Sequence, residues 1–336
     1  MMVSPLLSLP GAAEFSADEQ CPQLYKNVAW HYGNPLVEQR YLADKALVDR
    51  SNRTVIAIRG VDRETFLNNL LSQQLLEAPT ATQALNLDGQ GRVLHQMDVF
   101  AYDQCLFLDT VGGIDLLEYL QKMIFWSQVE VELSDYRILS VFGGYEGEFP
   151  HRLARGWVDV FVPADRLLEE SMRLMEAGYR PVGLMAFEAL RVQSCQPEAT
   201  LDFDHKSIPH EAPVLIGQAV HLNKGCYRGQ ETVARVENLG RSPRILVRVH
   251  IDGFAPTQPQ PGDAISSGGR TVGRMGTVVH DLDFGPIGLA LVKRSAVSST
   301  LAVGDVALSV DPDSIPSENT EQAGKKAIEK LRGLNP

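Results

Sequence analysis

The stretch Lys224-Gly225-Cys226-Tyr227-Arg228-Gly229-Gln230-Glu231 is the most distinctive in this chain. Lys224 and Arg228 lie two residues before and after Cys226, and in an extended segment their side chains share one face with the thiol. Such neighbours favour the thiolate. The two glycines permit a sharp turn and a close approach of the backbone to a ligand. The glycine-free run from Gln230 predicts a helix, whose N-terminus would stabilise the thiolate further.

The same spacing is compatible with a glycine-rich surface turn. In that alternative, Cys226 packs as a small hydrophobic residue and the neighbouring cations are simply solvated. Residue spacing alone does not decide between a reactive thiol and a structural one.

Composition describes an ordinary globular protein with an acidic surface. The chain has 336 residues, 44% of them hydrophobic, and a net charge of −11. This charge argues against a nucleic-acid-binding surface spread over the whole protein. Between Lys224 and Arg244, however, five basic residues stand against two acidic ones. The sequence therefore predicts a local basic segment, residues 224–244, that attracts a small polyanion.

The four cysteines, at positions 21, 105, 195 and 226, form no CxxC pair and have no metal-ligand spacing. Cys105 and Cys195 lie in apolar patterns and are expected to be buried. Reduced thiols indicate a cytoplasmic protein. The first fifteen residues lack the basic start of a signal peptide, and no apolar run is long enough for a transmembrane helix, so no membrane association is expected.

Hydrophobic periodicity predicts an α+β protein. Residues 54–59 are typical of a strand, and Asp62 is placed to cap the helix that follows. Residues 82–87 and 93–102 predict a hairpin closed by a glycine-bearing loop. Short strands after residue 244 predict a small β-barrel or sandwich. We expect a flexible arm at 1–24, a body at 25–244, a β domain at 245–310 and a disordered tail at 311–336.

The eight-residue stretch resembles the signature of the YgfZ family, folate-binding proteins of iron-sulfur cluster assembly and repair that are related to glycine-cleavage aminomethyltransferase (GcvT). Looser similarity to the aminomethyltransferases runs from Leu47 to Ala296 and includes Pro181-Val-Gly-Leu-Met-Ala-Phe-Glu-Ala-Leu-Arg191. The resemblance implies a GcvT/YgfZ-like α+β fold: a folate-binding body of two intertwined α+β subdomains plus a small C-terminal β-barrel.

The resemblance also implies the site. Tetrahydrofolate or a derivative would be the cofactor, and its polyglutamate tail would be the polyanion of the basic segment. Cys226 and Lys224 become the candidate reactive residues, and Asp159 resembles the transferase glutamate that holds the pterin ring. A strand aspartate paired with a nearby arginine is the alternative for Asp159. The other candidate folate-binding residues are Gly225, Tyr227, Arg228, Gly229, Gln230 and Glu231.

One departure from the transferases affects the expected chemistry. Their acid that orients the folate nitrogen follows the hairpin glycine, and here His95 or Gln96 occupies that region. The leading interpretation is a folate-binding factor that acts transiently on iron-sulfur client or assembly proteins, with Cys226 essential. The alternatives are an aminomethyltransferase that makes methylene-tetrahydrofolate and a cysteine-dependent folate or one-carbon enzyme, so whether the protein is an enzyme stays open.

Overall fold

The computed structural model describes residues 3–15, 22–76 and 80–315. The strands are Ala46–Asp49 (β1), Thr54–Arg59 (β2), Ala81–Leu87 (β3), Val93–Tyr102 (β4), Cys105–Thr110 (β5), Glu130–Leu133 (β6), Tyr136–Phe142 (β7), His151–Leu153 (β8), Val158–Pro163 (β9), Arg180–Val182 (β10), Arg244–Ile251 (β11), Ala264–Ser267 (β12), Arg270–Asp281 (β13), Gly285–Lys293 (β14), Leu301–Val303 (β15) and Val306–Val310 (β16). The α-helices are Pro35–Tyr41 (α1), Arg63–Leu70 (α2), Ile114–Lys122 (α3), Leu167–Glu176 (α4), Leu184–Gln193 (α5), Ala199–Asp202 (α6), Leu215–Gln218 (α7) and Gln230–Leu239 (α8).

The first sheet has the strand order β3-β4-β5-β2-β6, and every neighbouring pair is antiparallel. Helices α2 and α3 cover one face, where Leu67 and Leu116 pack against Ile58. The predicted strand 54–59 and the helix after Asp62 are confirmed. The Asp62 carboxylate, however, accepts a hydrogen bond from Gln128 N at 2.7 Å instead of capping α2.

The second sheet has the order β10-β1-β7-β9-β8, in which only the β1–β10 pair is parallel. The chain enters this sheet at β1, builds the first sheet with β2 to β6, and then returns with β7 to β10. This path intertwines the two halves of the body. The sheets meet through aromatic side chains, with the rings of Phe100 and Phe161 4.8 Å apart.

The C-terminal strands form a closed barrel in the order β11-β14-β13-β12-β15-β16. Alternate residues Ile245, Val247 and Val249 of β11 point into its apolar core. The pairing of β11 with β16 closes the ring, so the structure is a barrel and not a sandwich. The Asp202 carboxylate of the body accepts a hydrogen bond from Thr277 N of β13 at 2.7 Å, which joins barrel and body.

The expectation of a flexible arm at 1–24 is wrong for its described residues, 3–15 and 22–24. Leu6 is fully buried, and Ser4 N donates to Asn27 O at 2.9 Å. Residues 1–2 and 16–21 of that arm lie outside the described residues. Apolar burial by Leu6 supplies the stabilisation that a free arm lacks.

The expectation of a disordered tail at 311–336 is wrong for residues 311–315. Asp311 is buried and forms an ion pair with Arg248, and a turn of 3-10 helix follows at Pro312–Ser314. Residues 316–336 lie outside the described residues. Within the described part of the chain, no helix combines the length and the apolar character needed to cross a membrane.

Candidate functional site

A cavity of about 450 Å³ lies between the two sheets and helix α5. It falls within the usual size range of small-molecule sites, roughly 300 to 1,000 Å³. Its wall is made by residues from β3, β4, β8, β9, α5 and α7 and from the segments after β1, β8 and α5. The charged and amide residues among them are Arg50, Arg53, Gln83, Gln96, Asp98, Arg152, Arg155, Asp159, Arg191, Gln196, Glu198 and Gln218.

A buried charge network forms the inner wall of the cavity. The Nη2 atom of Arg53 lies 3.1 Å from Asp98 Oδ2, and its Nε donates to Asp109. The Nη2 atom of Arg152 lies 2.9 Å from Asp159 Oδ2 and also pairs with Asp109. Burial favours the neutral acid of Asp98, but Arg152 and Arg53 outweigh it and lower its pKa to about 2. The Asp98 carboxylate is therefore ionised at neutral pH.

Sequence reasoning missed these arginines. Arg50 and Arg53 belong to the polar run Asp49-Arg50-Ser51-Asn52-Arg53, which joins two apolar strands and is nevertheless buried throughout. The Arg50 guanidinium stacks over the Phe187 ring at 4.4 Å. A charged run between two core strands is the signal that could have revealed them, because buried charges need paired partners.

Asp159 lines the cavity as expected, but protein donors already occupy its carboxylate. Its Oδ1 accepts hydrogen bonds from Ser140 Oγ at 2.5 Å and Trp157 Nε1 at 2.8 Å, while Oδ2 accepts from Arg152. Burial opposes ionisation of Asp159, yet Arg152 and Arg50 outweigh it and hold its pKa below the ordinary value. This geometry favours the alternative considered above, a strand aspartate paired with arginine.

Other polar groups on the wall have no partner. The Oε1 atoms of Gln96 and Gln196 and the Nη1 atom of Arg152 are buried and make no hydrogen bond in the described residues. A buried polar atom without a partner costs free energy, so such atoms at a cavity point to a polar ligand.

The structure separates the two candidates for the position of the transferase acid. Gln96 faces the cavity together with Asp98, since residues i and i+2 of a strand share a face. His95 faces away, with Nε2 3.0 Å from Asp115 Oδ2. Of the two residues, Gln96 is thus the one that lines the cavity, while the next carboxylate on that face is Asp98, which the sequence did not single out.

The signature loop is held to helix α2 by Lys224. Its ammonium donates to the backbone oxygens of Asn68 at 2.6 Å, Leu71 at 2.6 Å and Gln73 at 2.9 Å. These contacts use all three N–H donors of a lysine. Burial lowers the pKa of Lys224 to about 8, whereas the three oxygens stabilise its charged form. Lys224 is therefore committed to the end of α2 and has no donor left for a Cys226 thiolate, contrary to the expected role.

Gly229 joins the signature to the β3–β4 hairpin. Its φ of +83° is left-handed, and a Cβ there would lie 2.6 Å from Asp88 O and 2.8 Å from Gly91 Cα. Glycine is needed for both reasons. Helix α8 then begins at Gln230, as predicted, and the Gln230 side chain accepts a hydrogen bond from Tyr227 N at 3.1 Å.

The remaining signature residues divide into one buried side chain and an exposed set. Tyr227 is buried in the core, and the Lys224 ammonium lies 5.2 Å from its ring centroid. Gly225, Cys226, Arg228 and Glu231 are exposed. Cys226 is therefore available to a partner or reagent.

The other described cysteines are less accessible. Cys105 is buried and Cys195 is half-buried, and burial raises the pKa of both thiols. Cys21 lies outside the described residues. Of the three described thiols, Cys226 is the one best placed to react.

The basic segment 224–244 is less cationic than its sequence indicates. Besides Lys224, Arg244 is engaged, with Nη1 2.6 Å from Asp204 Oδ2 and Nε 2.8 Å from Glu211 Oε1. The charge of Arg244 is thus compensated by two carboxylates, while the donors of Lys224 are occupied by backbone oxygens.

The signature and the cavity are neighbouring but separate. None of residues 224–231 lines the cavity in the described chain. A short chain of hydrogen bonds joins them: Lys224 donates to Gln73 O, and Gln73 Nε2 donates to Gln218 O at 2.7 Å at the cavity wall. The sequence-predicted site therefore splits into an exposed cysteine loop and a cavity that contains Asp159.

Lys224→Met is expected to lower the free energy of unfolding by about 1.5 to 3 kcal/mol, the range for a hydrogen-bonded charged group. Methionine keeps the apolar stem but leaves three carbonyl oxygens without their donor. Urea denaturation measures the loss. Arg228→Met, at an exposed position of the same loop, is the control and should change stability by less than about 0.5 kcal/mol. Equal stability of both variants would show that the lysine does not hold the loop.

The C-terminal barrel is similar to a known domain family. The family model described as CAF17, C-terminal beta-barrel domain, matches residues 244–317. A putative chloroplastic transferase of Arabidopsis thaliana is 30% identical over 135 residues, 39% of this chain and 30% of that protein. The chain thus spans less than a third of that transferase.

Two relatives match over most of the chain. The tRNA-modifying protein YgfZ of Vibrio vulnificus is 24% identical over 246 residues, 67% of this chain and 76% of that protein. A mitochondrial iron-sulfur cluster assembly factor IBA57 homolog of Aspergillus fumigatus is 25% identical over 361 residues, 85% of this chain and 80% of that protein.

The fold has a solved counterpart. The aminomethyltransferase T of the glycine cleavage system of Bartonella henselae matches with a TM-score of 0.74 and 16% identity, over 91% of this chain and 94% of that chain. The chain is thus similar to YgfZ-type proteins, and its fold is GcvT-like. The signature of this chain thus lies on a GcvT-like fold, and the likeness to the aminomethyltransferase concerns the fold alone.

Proposed function

We propose that this protein binds a reduced folate in the cavity between its sheets and supports assembly or repair of iron-sulfur clusters in client enzymes, with Cys226 essential. The observation that carries the folate proposal is the set of unpartnered polar atoms on the cavity wall, two amide oxygens and one guanidinium nitrogen. The similarity to the Aspergillus iron-sulfur cluster assembly factor IBA57 homolog supports the iron-sulfur part. We propose that the protein acts in the cytoplasm.

The wall fits the chemistry of a reduced pterin. A pterin edge offers N–H donors beside a carbonyl acceptor, which complement the oxygens of Gln96 and Gln196 and the Nη1 donor of Arg152. Trp157 and Phe187 add aromatic surface to the wall. Asp159 contributes as the anchor of Arg152 more than as a direct acceptor, because its oxygens already hold three donors.

The proposal separates binding from chemistry. Folate binding requires the cavity, whereas exchange with an iron-sulfur client requires an accessible soft ligand or nucleophile, and the exposed Cys226 supplies one. The hydrogen bonds through Gln73 give the two places a physical connection.

A second candidate is one-carbon transfer of the aminomethyltransferase kind. The observation in its favour is Asp98, a carboxylate on the cavity wall two residues beyond Gln96. Against it, the amide of Gln96 has no proton to exchange near neutral pH, and Asp98 is held by Arg53 and Arg152. Assay of methylene-tetrahydrofolate formation from an aminomethyl donor distinguishes this candidate, and we expect no turnover.

The cellular proposal is tested by deleting this gene and assaying several iron-sulfur enzymes with and without a restored copy. We expect lowered activity of more than one such enzyme, recovered by the wild-type gene. An enzyme that contains no iron-sulfur cluster, assayed in the same extracts, serves as the control. Normal activity of every iron-sulfur enzyme in the deletion strain would contradict the proposed function.

Gln96→Leu is expected to weaken tetrahydrofolate binding by about two- to tenfold, which corresponds to one neutral hydrogen bond. Stability should be unchanged or slightly higher, because the Gln96 oxygen has no protein partner to lose. Calorimetry and urea denaturation measure the two quantities. Gln90→Leu, exposed in the hairpin loop, is the matched control. Unaltered affinity in Gln96→Leu would remove this side chain from the folate site.

A further inference from the structure

One arginine at the edge of the cavity differs from the others that line it. Arg50, Arg53, Arg152 and Arg191 are each paired with a carboxylate. Arg155 lines the same cavity, is exposed, and forms no ion pair with any described residue. The cavity wall thus ends, on its solvent side, in a guanidinium that has no close ion-pair partner among the described residues.

The backbone holds Arg155 in a defined place. It lies in the tight connection between β8 and β9, where Ala154 N donates to Trp157 O at 2.9 Å. Gly156 has a φ of +97°, which a side chain would resist. The next strand carries Asp159 on the inner wall, so this turn fixes Arg155 relative to the interior of the cavity.

The guanidinium of Arg155 is only partly used by the protein. Its Nη1 donates to Gln83 Oε1 at 3.0 Å and, more weakly, to Gln218 Oε1 at 3.5 Å. Its Nε and Nη2 make no hydrogen bond to a described residue, although a guanidinium has five N–H donors. The Nε–Nη2 edge is the pair of donors that binds a carboxylate through two parallel hydrogen bonds.

We propose that Arg155 binds a carboxylate at the outer end of the ligand held in the cavity. This inference rests on the proposed function, and for a folate the carboxylate belongs to the glutamyl tail. It relocates the tail from the basic segment 224–244, where Lys224 and Arg244 are engaged by protein oxygens. Arg155 can donate charge-assisted hydrogen bonds to a carboxylate. These are stronger than its present hydrogen bonds to the two neutral amide oxygens.

The test compares three ligands by calorimetry at low salt: tetrahydrofolate, its pentaglutamate, and 6-methyltetrahydropterin, which has no carboxylate. Arg155→Gln is expected to weaken binding of both folates about five- to tenfold, as for an exposed charge-assisted contact. Binding of 6-methyltetrahydropterin should be unchanged, and Arg155→Lys should recover part of the loss. Higher salt should reduce the difference in folate affinity between the wild type and Arg155→Gln.

Arg228→Gln is the matched control, because this exposed arginine belongs to the basic segment and does not line the cavity. It should bind all three ligands like the wild type. The inference is overturned if Arg155→Gln binds the folates with wild-type affinity, or if its affinity for 6-methyltetrahydropterin falls by the same factor as its affinity for the folates. It is also overturned if Arg228→Gln, and not Arg155→Gln, has the lowered folate affinity. Absence of tetrahydrofolate binding by the wild type would overturn the proposed function itself, which is a different result.

Discussion

A Cys226→Ser variant is expected to accumulate normally yet fail to restore iron-sulfur enzyme activity in a strain that lacks this gene. The side chain is exposed, so replacing sulfur by oxygen should change stability by less than about 0.5 kcal/mol. A serine hydroxyl, however, stays protonated at neutral pH and is a poor ligand for soft metals. Enzyme activity in extracts, normalised to protein abundance, measures the effect.

Cys195→Ser is the matched control for this variant. Burial raises the pKa of the Cys195 and Cys105 thiols, so neither should react or act as a ligand readily. Alkylation at neutral pH should modify Cys226 faster than these two. Full rescue by Cys226→Ser at normal abundance would reduce Cys226 to a surface residue without a role.

Arg152→Met is expected to lower the free energy of unfolding by about 3 to 5 kcal/mol, the range found when one member of a buried ion pair is removed. Arg152 contacts Asp109 and Asp159, which are both buried. Arg53 remains beside Asp109, but Arg50, at 3.5 Å, would be the one cation left to pair with Asp159 among the described residues. Urea denaturation measures the change. The dependence of the unfolding free energy on urea concentration should be the same in both proteins if unfolding is two-state.

The double variant Arg152→Met/Asp159→Asn separates charge from packing. Removing the negative charge left behind should recover part of the lost stability, so the two changes should not add. A loss below about 1 kcal/mol in Arg152→Met would mean that the network is solvated and contributes little, as surface ion pairs do.

Local sequence patterns predicted much of the fold. The strand at 54–59, the helix after Asp62 and the helix starting at Gln230 all depend on nearby residues and were found in place. The arm was mispredicted because Pro5, Pro10 and Gly11 indicate irregular chain, whereas burial of Leu6 depends on a distant surface. Irregular backbone is compatible with firm packing.

The site was harder to predict because its contacts are remote in sequence. Arg53 and Asp109 are 56 residues apart, and spacing gives no sign that they meet. Lys224 donates to backbone oxygens, one of them 156 residues away, and any residue type supplies such an acceptor. Sequence could identify Cys226 and Asp159 as distinctive, but not that they belong to two separate places.

Calorimetric titration of the wild type and of Cys226→Ser with tetrahydrofolate tests the central claim, a folate cavity distinct from the cysteine loop. We expect saturable binding to one site per chain with the same affinity in both proteins, because Cys226 does not line the cavity. Absence of saturable binding to the wild type, or binding that is lost when Cys226 becomes serine, would contradict this account.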